Sequence, residues 1–119
     1  MISSSIERLE PGPRMSRAVV HGDTVYISGH VSDKASASVA EQTRDILMKI
    51  EQVLAQTGSD KSRILSANVW LADAGMYNEM NGVWDAWIDR QNPPARACVE
   101  SRLASSAYKV EIALIAARK

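Results

Sequence analysis

The chain has 119 residues, 45% of them hydrophobic and 24% charged, so it is long enough for one globular core and too short for two. These fractions exclude collagen-like, coiled-coil and disordered chains. Fourteen Lys and Arg residues balance fourteen Asp and Glu residues without forming a run, which argues against a general binder of nucleic acid or anionic membrane. We therefore expect a single domain over residues 1–119 with neither nucleic acid nor membrane as partner.

The cysteine and histidine content argues against disulfides and metals. Cys98 is the one cysteine and cannot form an internal disulfide, and with two histidines a metal site would depend on carboxylates. Residues 1–7 show no basic start followed by an apolar run, and no stretch of about 18 apolar residues occurs. We expect no metal, and a location in the reducing cytoplasm.

The first elements in chain order are a hairpin and a helix. Ala18–His21 and residues 24–29 are short β-branched runs separated by Gly22-Asp23, which is typical of two strands joined by a tight turn. Over residues 38–57, apolar positions recur at steps of three and four, so the pattern predicts an amphipathic helix. Ser38 with Glu41 offers a capping box at its start, and Gly58 stands where the helix would stop.

The second half of the chain predicts a strand, a helix and two strands. Ile64–Leu71 reads as a buried strand, and Met and Trp residues at helical spacing predict a helix between Asp73 and the Asn92-Pro93-Pro94 break. We interpret this Met and Trp stripe as core and not as a cofactor site. Two further strands are predicted, over Ala95–Glu100 and over residues 108–117, where successive side chains alternate between the two faces of a sheet.

This order of elements predicts an α+β domain in which both helices pack on one face of a mixed sheet. The other face would expose several apolar side chains to water: Ala97, Ala113, Ile115, and either Val69 or Trp70. We expect neighbouring subunits to cover that face.

The most informative segment for chemistry is the strand that follows the two prolines. Period-two alternation puts Arg96, Cys98 and Glu100 on one face of this strand. A guanidinium held at the start of a strand can bind a carboxylate through two parallel hydrogen bonds, but a structural ion pair with an acidic neighbour is an equally good interpretation. Cys98 has no histidine partner in sequence, which favours a small buried hydrophobe over a nucleophile.

Glu111 is a single charge within the apolar last strand. It is either a solvated residue near the start of the strand, the commoner case, or a partly buried carboxylate that holds a water or transfers a proton. Ser28-Gly29-His30 offers a hydroxyl, an approachable backbone and an imidazole, although a turn at the end of a strand explains it equally well.

Three segments together resemble a known family. They are similar to motifs of the Rid family of reactive-intermediate deaminases, also called YjgF/YER057c/UK114. The segments are Val25-Tyr26-Ile27-Ser28-Gly29, Pro94-Ala95-Arg96-Ala97-Cys98-Val99-Glu100 and Lys109-Val110-Glu111-Ile112. The similarity runs in register over residues 8 to 118. It implies a chorismate-mutase-like α+β fold, assembled as a homotrimer with ligand sites in the clefts between subunits.

The resemblance also implies an activity and roles for residues. Active members hydrolyse reactive enamines and imines, such as 2-aminoacrylate and 2-iminopropionate, to the 2-keto acid and ammonia without a cofactor. By position, Arg96 would bind the carboxylate of a small metabolite and Glu111 would position or activate the attacking water. Cys98, Ser28 and Gly29 would line the pocket.

This chain departs from the family pattern at one pocket position. Where archetypal members have a tyrosine shortly after a Gly-Pro, it has Met15, which cannot donate a phenolic hydrogen bond. This favours a divergent subgroup and keeps open an alternative function, a non-catalytic trimer that binds carboxylic metabolites or acts as a holdase or regulator. Arg14 and Arg17 flank Met15 and either face the cleft mouth or, more often at such positions, are solvated. RNA cleavage, a third class, is disfavoured by the balanced charge.

Overall fold

The computed structural model describes residues 5–119, and in this part of the chain six strands form one mixed sheet. In sequence they are β1 Ile6–Leu9, β2 Ala18–His21, β3 Thr24–His30, β4 Ile64–Leu71, β5 Ala95–Glu100 and β6 Val110–Ala117. Their order across the sheet is β1-β2-β3-β6-β4-β5. β4 and β5 run parallel and the other neighbours antiparallel, so the predicted mixed sheet is confirmed. Residues 1–4, part of the N-terminal stretch in which the sequence shows no basic start followed by an apolar run, lie outside the described residues.

The first helix, α1, spans Val39–Gln56, and Ser38 caps its start as predicted, although among residues 5–119 no hydrogen bond from the Ser38 N–H to the Glu41 side chain completes the capping box. The Glu41 backbone N–H donates to Ser38 Oγ over 3.1 Å, which satisfies one of the free donors of the first turn. The helix ends at Thr57, and Gly58 follows with a φ of +79°, a left-handed conformation that glycine adopts without a side-chain penalty. Local sequence chemistry therefore sets both ends of α1.

The second helix, α2, spans Tyr77–Trp87 after a 3₁₀ turn at Ala74–Met76. Met80 and Trp84 are buried on its inner side, and Val83 and Trp87 pack at the edge of the same core. The prediction that the Met and Trp stripe belongs to the core is confirmed. Among residues 5–119, no helix is both long enough and apolar enough to cross a membrane.

The core lies between the helices and one face of the sheet. On β6, Val110, Ile112, Leu114 and Ala116 are buried beneath the helices, while the alternate residues are only partly covered. This alternation follows from the two-residue period of a strand. It confirms that one face of β6 is apolar throughout.

The face of the sheet away from the helices carries apolar side chains that are open to solvent in a single protomer. Tyr26 pairs with Ile115, and Trp70 pairs with Val99, in neighbouring strands. Tyr26 is 46% and Val99 51% exposed. Because Val69 is buried on the helix side, Trp70 and not Val69 lies on the open face.

The structure differs from the sequence prediction in one additional strand and one strand boundary. β1 was not predicted, because Ile6-Glu7-Arg8-Leu9 has no period-two alternation, and it forms by pairing with β2 while Leu9 packs against the core. The last strand begins at Val110 and not at residue 108. The Gln42 side chain accepts from Lys109 N–H at 2.9 Å and ties this segment to α1 before the strand begins.

Candidate functional site

Arg96 lies in a cleft between α2 and the start of β5, with a volume of about 500 Å³. Its Nη1 donates to Asn81 Oδ1 over 2.8 Å, and its Nη2 donates to the Tyr77 hydroxyl over 3.4 Å. The guanidinium carbon lies 5.0 Å from the centre of the Trp84 ring and 5.9 Å from that of Tyr77, within the range of cation–π attraction. Neutral groups therefore hold the arginine in place.

The structural ion pair that was one interpretation of Arg96 does not form within the protomer. Among residues 5–119, the ion pairs join Arg17 to Glu10, Lys49 to Asp33 and Asp45, and Lys119 to Asp60. None involves Arg96, and Asp85, the carboxylate that lines the same cleft, does not lie within ion-pair distance of it.

Arg96 and Cys98 share one face of β5, as the alternation predicts. In the parallel pairing with β4, Arg96 is opposite Ala67 and Cys98 is opposite Val69, both of which are buried beneath the helices. Arg96 and Cys98 are half-buried at this edge of the sheet, and Cys98 packs against the core.

The thiol of Cys98 is not activated for nucleophilic attack. Burial raises the pKa of the Cys98 thiol, and the nearby positive charge of Arg96 only partly opposes this effect. Since the thiolate is the nucleophilic form, a raised pKa favours the packing interpretation of Cys98 over the nucleophilic one.

Glu111 projects from the opposite face of the sheet, next to Gly29. Its neighbours Val110 and Ile112 are fully buried on the helix side, so its own half-buried side chain points to the open face. A Cβ placed on Gly29 would lie 2.2 Å from Glu111 Oε2, far inside van der Waals contact. The carboxylate thus lies directly over Gly29, in space that any other residue would fill.

Ser28 and His30 connect this point of β3 to the loop between β1 and β2. Ser28 donates from both its backbone N–H and its Oγ to the Arg17 carbonyl, at 3.1 and 2.9 Å. Arg17 Nε donates to His30 Nε2 at 3.2 Å, so the other ring nitrogen, Nδ1, carries the proton and donates to the Ser28 carbonyl at 2.7 Å. Burial lowers the pKa of His30, which agrees with a neutral ring.

The expectation that Arg17 is solvated is wrong, because it also pairs with Glu10 at 3.0 Å and its side chain is only 27% exposed. Two residues earlier, Met15 is 57% exposed. The Gly12 N–H donates to the Met15 carbonyl at 2.8 Å and closes a turn in the loop. Because Arg17 anchors the loop to Ser28, Met15 belongs to a segment attached to the Ser28-Gly29 corner.

Arg96 and Glu111 do not converge within one protomer. Arg96 points to the helix side at the sheet edge, whereas Glu111 points to the open face from β6, which is separated from β5 by β4. Glu111 and Gly29 form one group on the open face, joined through Ser28 to the Arg17 and His30 network. Arg96 and Cys98 form a second group on the other face.

Comparison with known proteins identifies the family. Residues 5–118 match the family model described as Endoribonuclease L-PSP. The crystal structure of a member of the YjgF protein family from Neisseria meningitidis has a TM-score of 0.94 and 44% sequence identity, covering 98% of this chain and 97% of that one. The chain belongs to the Rid (YjgF) family.

Relatives of similar length support this assignment. The Rid chain is 42% identical over 113 residues to a RutC family protein of Haemophilus influenzae, with 94% of this chain and 97% of the relative covered. It is 40% identical over 113 residues to the RutC family protein YoaB of Escherichia coli, with 95% and 98% covered. The family resemblance inferred from the three sequence segments is confirmed.

Sequence reasoning missed the residues that surround Arg96 in this Rid chain. Asn81 precedes Arg96 by fifteen residues and reaches it only because α2 packs beside β5. Trp84 was predicted as core, and it also presents its ring to the guanidinium. Helical spacing places Asn81 and Trp84 on adjacent turns, but that spacing alone does not identify their common neighbour.

Proposed function

We propose that this protein is a cofactor-independent hydrolase that converts small 2-imino acids and their enamine tautomers into 2-keto acids and ammonia. The observation that carries the proposal is the state of Arg96, a half-buried cation held by an amide, a phenol and an indole ring, with no carboxylate partner among residues 5–119. An arginine prepared in this way is suited to a carboxylate ligand.

The guanidinium retains the donors that such a ligand needs. Arginine has five N–H donors, and Asn81 and Tyr77 accept from two of them. Two of the remaining donors can bind the two oxygens of a carboxylate in parallel, which fixes both the position and the orientation of the substrate.

We infer that the complete site forms between two subunits. Arg96 and Glu111 lie on opposite faces of the sheet, so a substrate bound by Arg96 of one protomer can meet Glu111 only from a neighbouring protomer. The exposed apolar surface around Tyr26 and Val99 supports such an assembly, because contact between subunits would remove it from water. A homotrimer, as in the Rid resemblance, places three such sites between its subunits.

The reaction needs little from the protein beyond orientation and proton transfer. Water adds to the electrophilic imine carbon, the π electron pair moves to the nitrogen, and Glu111 takes a proton from the water and passes it to that nitrogen, which gives the carbinolamine. The carbinolamine hydroxyl then loses its proton as its oxygen forms the carbonyl, the carbon–nitrogen bond breaks with its electron pair on nitrogen, and the nitrogen takes up this proton and leaves as ammonia. Holding the water and the carboxylate in a fixed geometry supplies the rate gain expected from proximity.

The test is ammonia release from imines made in situ by an amino-acid oxidase, across small, branched and aromatic amino acids. Arg96→Ala and Glu111→Gln are expected to abolish the acceleration in a folded oligomer, and Arg44→Ala, which removes an exposed arginine from α1, is expected to retain it. Light scattering after size exclusion gives the oligomeric state. An active Arg96→Ala oligomer would refute the assigned role of Arg96.

A binding protein of the same fold is the second candidate, and Met15 is the observation that favours it. Met15 stands where archetypal members have a tyrosine, and a thioether cannot donate the phenolic hydrogen bond. If the protein binds 2-keto acids through Arg96 but accelerates the hydrolysis of no imine, this second function is the correct one, and Met15→Tyr becomes the next variant to measure.

RNA cleavage, the activity named in the description of the matching family model, has less support. Fourteen basic residues are balanced by fourteen acidic ones and form no cluster in sequence. Contacts to the phosphate backbone require clustered positive charge.

A further inference from the structure

Asn81 contacts Arg96 through an atom whose identity is set by chemistry. Every guanidinium nitrogen is a donor and none is an acceptor, so the atom of Asn81 that lies 2.8 Å from Nη1 must be the amide oxygen. Asn81 is half-buried on α2, one turn from Trp84, whose ring lies 5.0 Å from the same guanidinium. The two side chains together restrict the arginine, which otherwise has many rotamers.

The neutrality of this contact matters as much as its geometry. An aspartate at the same position would have nearly the same shape and could accept the same hydrogen bond. It would also neutralise the guanidinium and compete with an incoming carboxylate for its donors. An amide holds the arginine in place and leaves its positive charge available.

We propose that Asn81 is a positioning residue for carboxylate binding, and that its neutral amide is required for this role. This role rests on one part of the proposed function, namely that Arg96 binds the carboxylate of the substrate. Asn81 makes no contact with the reacting atoms in this account. It orients the guanidinium edge that binds the substrate anion and preserves its charge.

A purely structural role for Asn81, as a hydrogen bond that joins α2 to β5, predicts a different outcome for Asn81→Asp. A carboxylate would make this connection at least as strong, because a hydrogen bond between charged groups is shorter and stronger than one with a neutral acceptor. The structural role therefore predicts equal or higher stability together with unchanged ligand binding. The positioning role predicts equal or higher stability together with weakened binding.

The experiment measures binding of 2-oxobutyrate to the intact oligomer by calorimetry, together with unfolding in urea, for the natural sequence and three variants. Asn81→Asp is expected to raise the Kd about tenfold or more, since a charge-assisted hydrogen bond is lost, without lowering the urea midpoint. Asn81→Ala is expected to raise the Kd about threefold, because the guanidinium is less ordered without its hydrogen-bond partner. This variant gives a second measurement of the role of Asn81 if the aspartate variant misfolds.

Gln52→Glu is the matched control. It makes the same change from amide to carboxylate at an exposed position on α1, and Gln52 does not line the cleft that holds Arg96. We expect its Kd to stay within about twofold of that of the natural sequence, because an exposed charge outside the cleft is screened by solvent. Equal weakening by Gln52→Glu and Asn81→Asp would overturn the proposal, as would natural affinity in Asn81→Asp.

Kinetics with imines separate this proposal from the proposed function. If the protein deaminates imines, Asn81→Asp should raise KM with little change in kcat, because it removes binding that ground state and transition state share. If the natural protein binds 2-oxobutyrate but hydrolyses no imine, the proposed function fails while weakened binding by Asn81→Asp still supports the positioning role. If it deaminates imines and Asn81→Asp keeps the natural KM and Kd, the positioning role fails alone. A natural protein that binds no 2-oxobutyrate overturns the positioning role directly.

Discussion

The substitution Gly29→Ala tests whether the position of the Glu111 carboxylate matters for activity. The added Cβ would lie 2.2 Å from Glu111 Oε2, 3.0 Å from Cδ and 3.4 Å from Cγ. Because ordinary contact begins near 3.4 Å, the carboxylate oxygen has to move by 3.4 − 2.2, or about 1.2 Å. This displacement is confined to the end of a flexible side chain on the open face of the sheet.

A shift of about 1 Å in a reacting group can lower a rate by about 100-fold, so we expect Gly29→Ala to lose activity on that scale. We expect the fold to remain, because Gly29 has no positive φ and alanine can adopt its backbone conformation. The reduced freedom of the unfolded chain offsets part of the cost of moving the carboxylate, which keeps the change in unfolding free energy within about 1 kcal/mol.

The assay is the rate of ammonia release from in situ imines, with the unfolding free energy from urea denaturation. Gly82→Ala is the matched control, since it makes the same chemical change on α2 at a position where a new Cβ meets nothing within 4 Å. It should keep full activity and gain up to about 1 kcal/mol in stability from better helix propensity. If Gly29→Ala is folded and as active as Gly82→Ala, the position of the Glu111 carboxylate has no role in catalysis.

Three further predictions concern stability. Leu54→Ala empties a fully buried position on α1 and should lower the unfolding free energy by about 2 to 5 kcal/mol in urea denaturation, and a loss below 1 kcal/mol would contradict its place in the core. Ser38→Ala removes the oxygen that accepts from Glu41 N–H and should cost about 1 kcal/mol in thermal unfolding, with Ser38→Asp retaining the natural value. Burial holds the pKa of His30 below its ordinary value of 6.5, so the unfolded chain binds more protons as the pH falls below about 6.5 and the unfolding free energy should decrease there. His30→Gln should remove this component of the pH dependence while His21→Gln, at an exposed position, should preserve it, and equal slopes in all three proteins would refute the assignment to His30.

The proposed site divides into parts that differ in how directly sequence determines them. Alternation along β5 is a local property, and it correctly placed Arg96 and Cys98 on one face. The partners of Arg96 could not be inferred in the same way. The sequence allowed an ion pair with an acidic neighbour, whereas the structure places Asn81, Tyr77 and Trp84 around the guanidinium. Selection among possible partners depends on how α2 packs against β5, and no residue spacing encodes that packing.

The sequence by itself determined the elements whose signals are local. The capping serine and the three-and-four spacing define α1, two strands flank the Gly22-Asp23 turn, and period-two alternation marks β6. These signals are readable because backbone sterics and side-chain periodicity act over a few residues. Only the tertiary structure decided the insertion of β6 between β3 and β4, the pairing of β1, and the placement of Arg96 and Glu111 on opposite faces of the sheet. The physical reason is that strand order and facing depend on contacts between segments far apart in the chain, whose free energy is gained only when the whole core assembles.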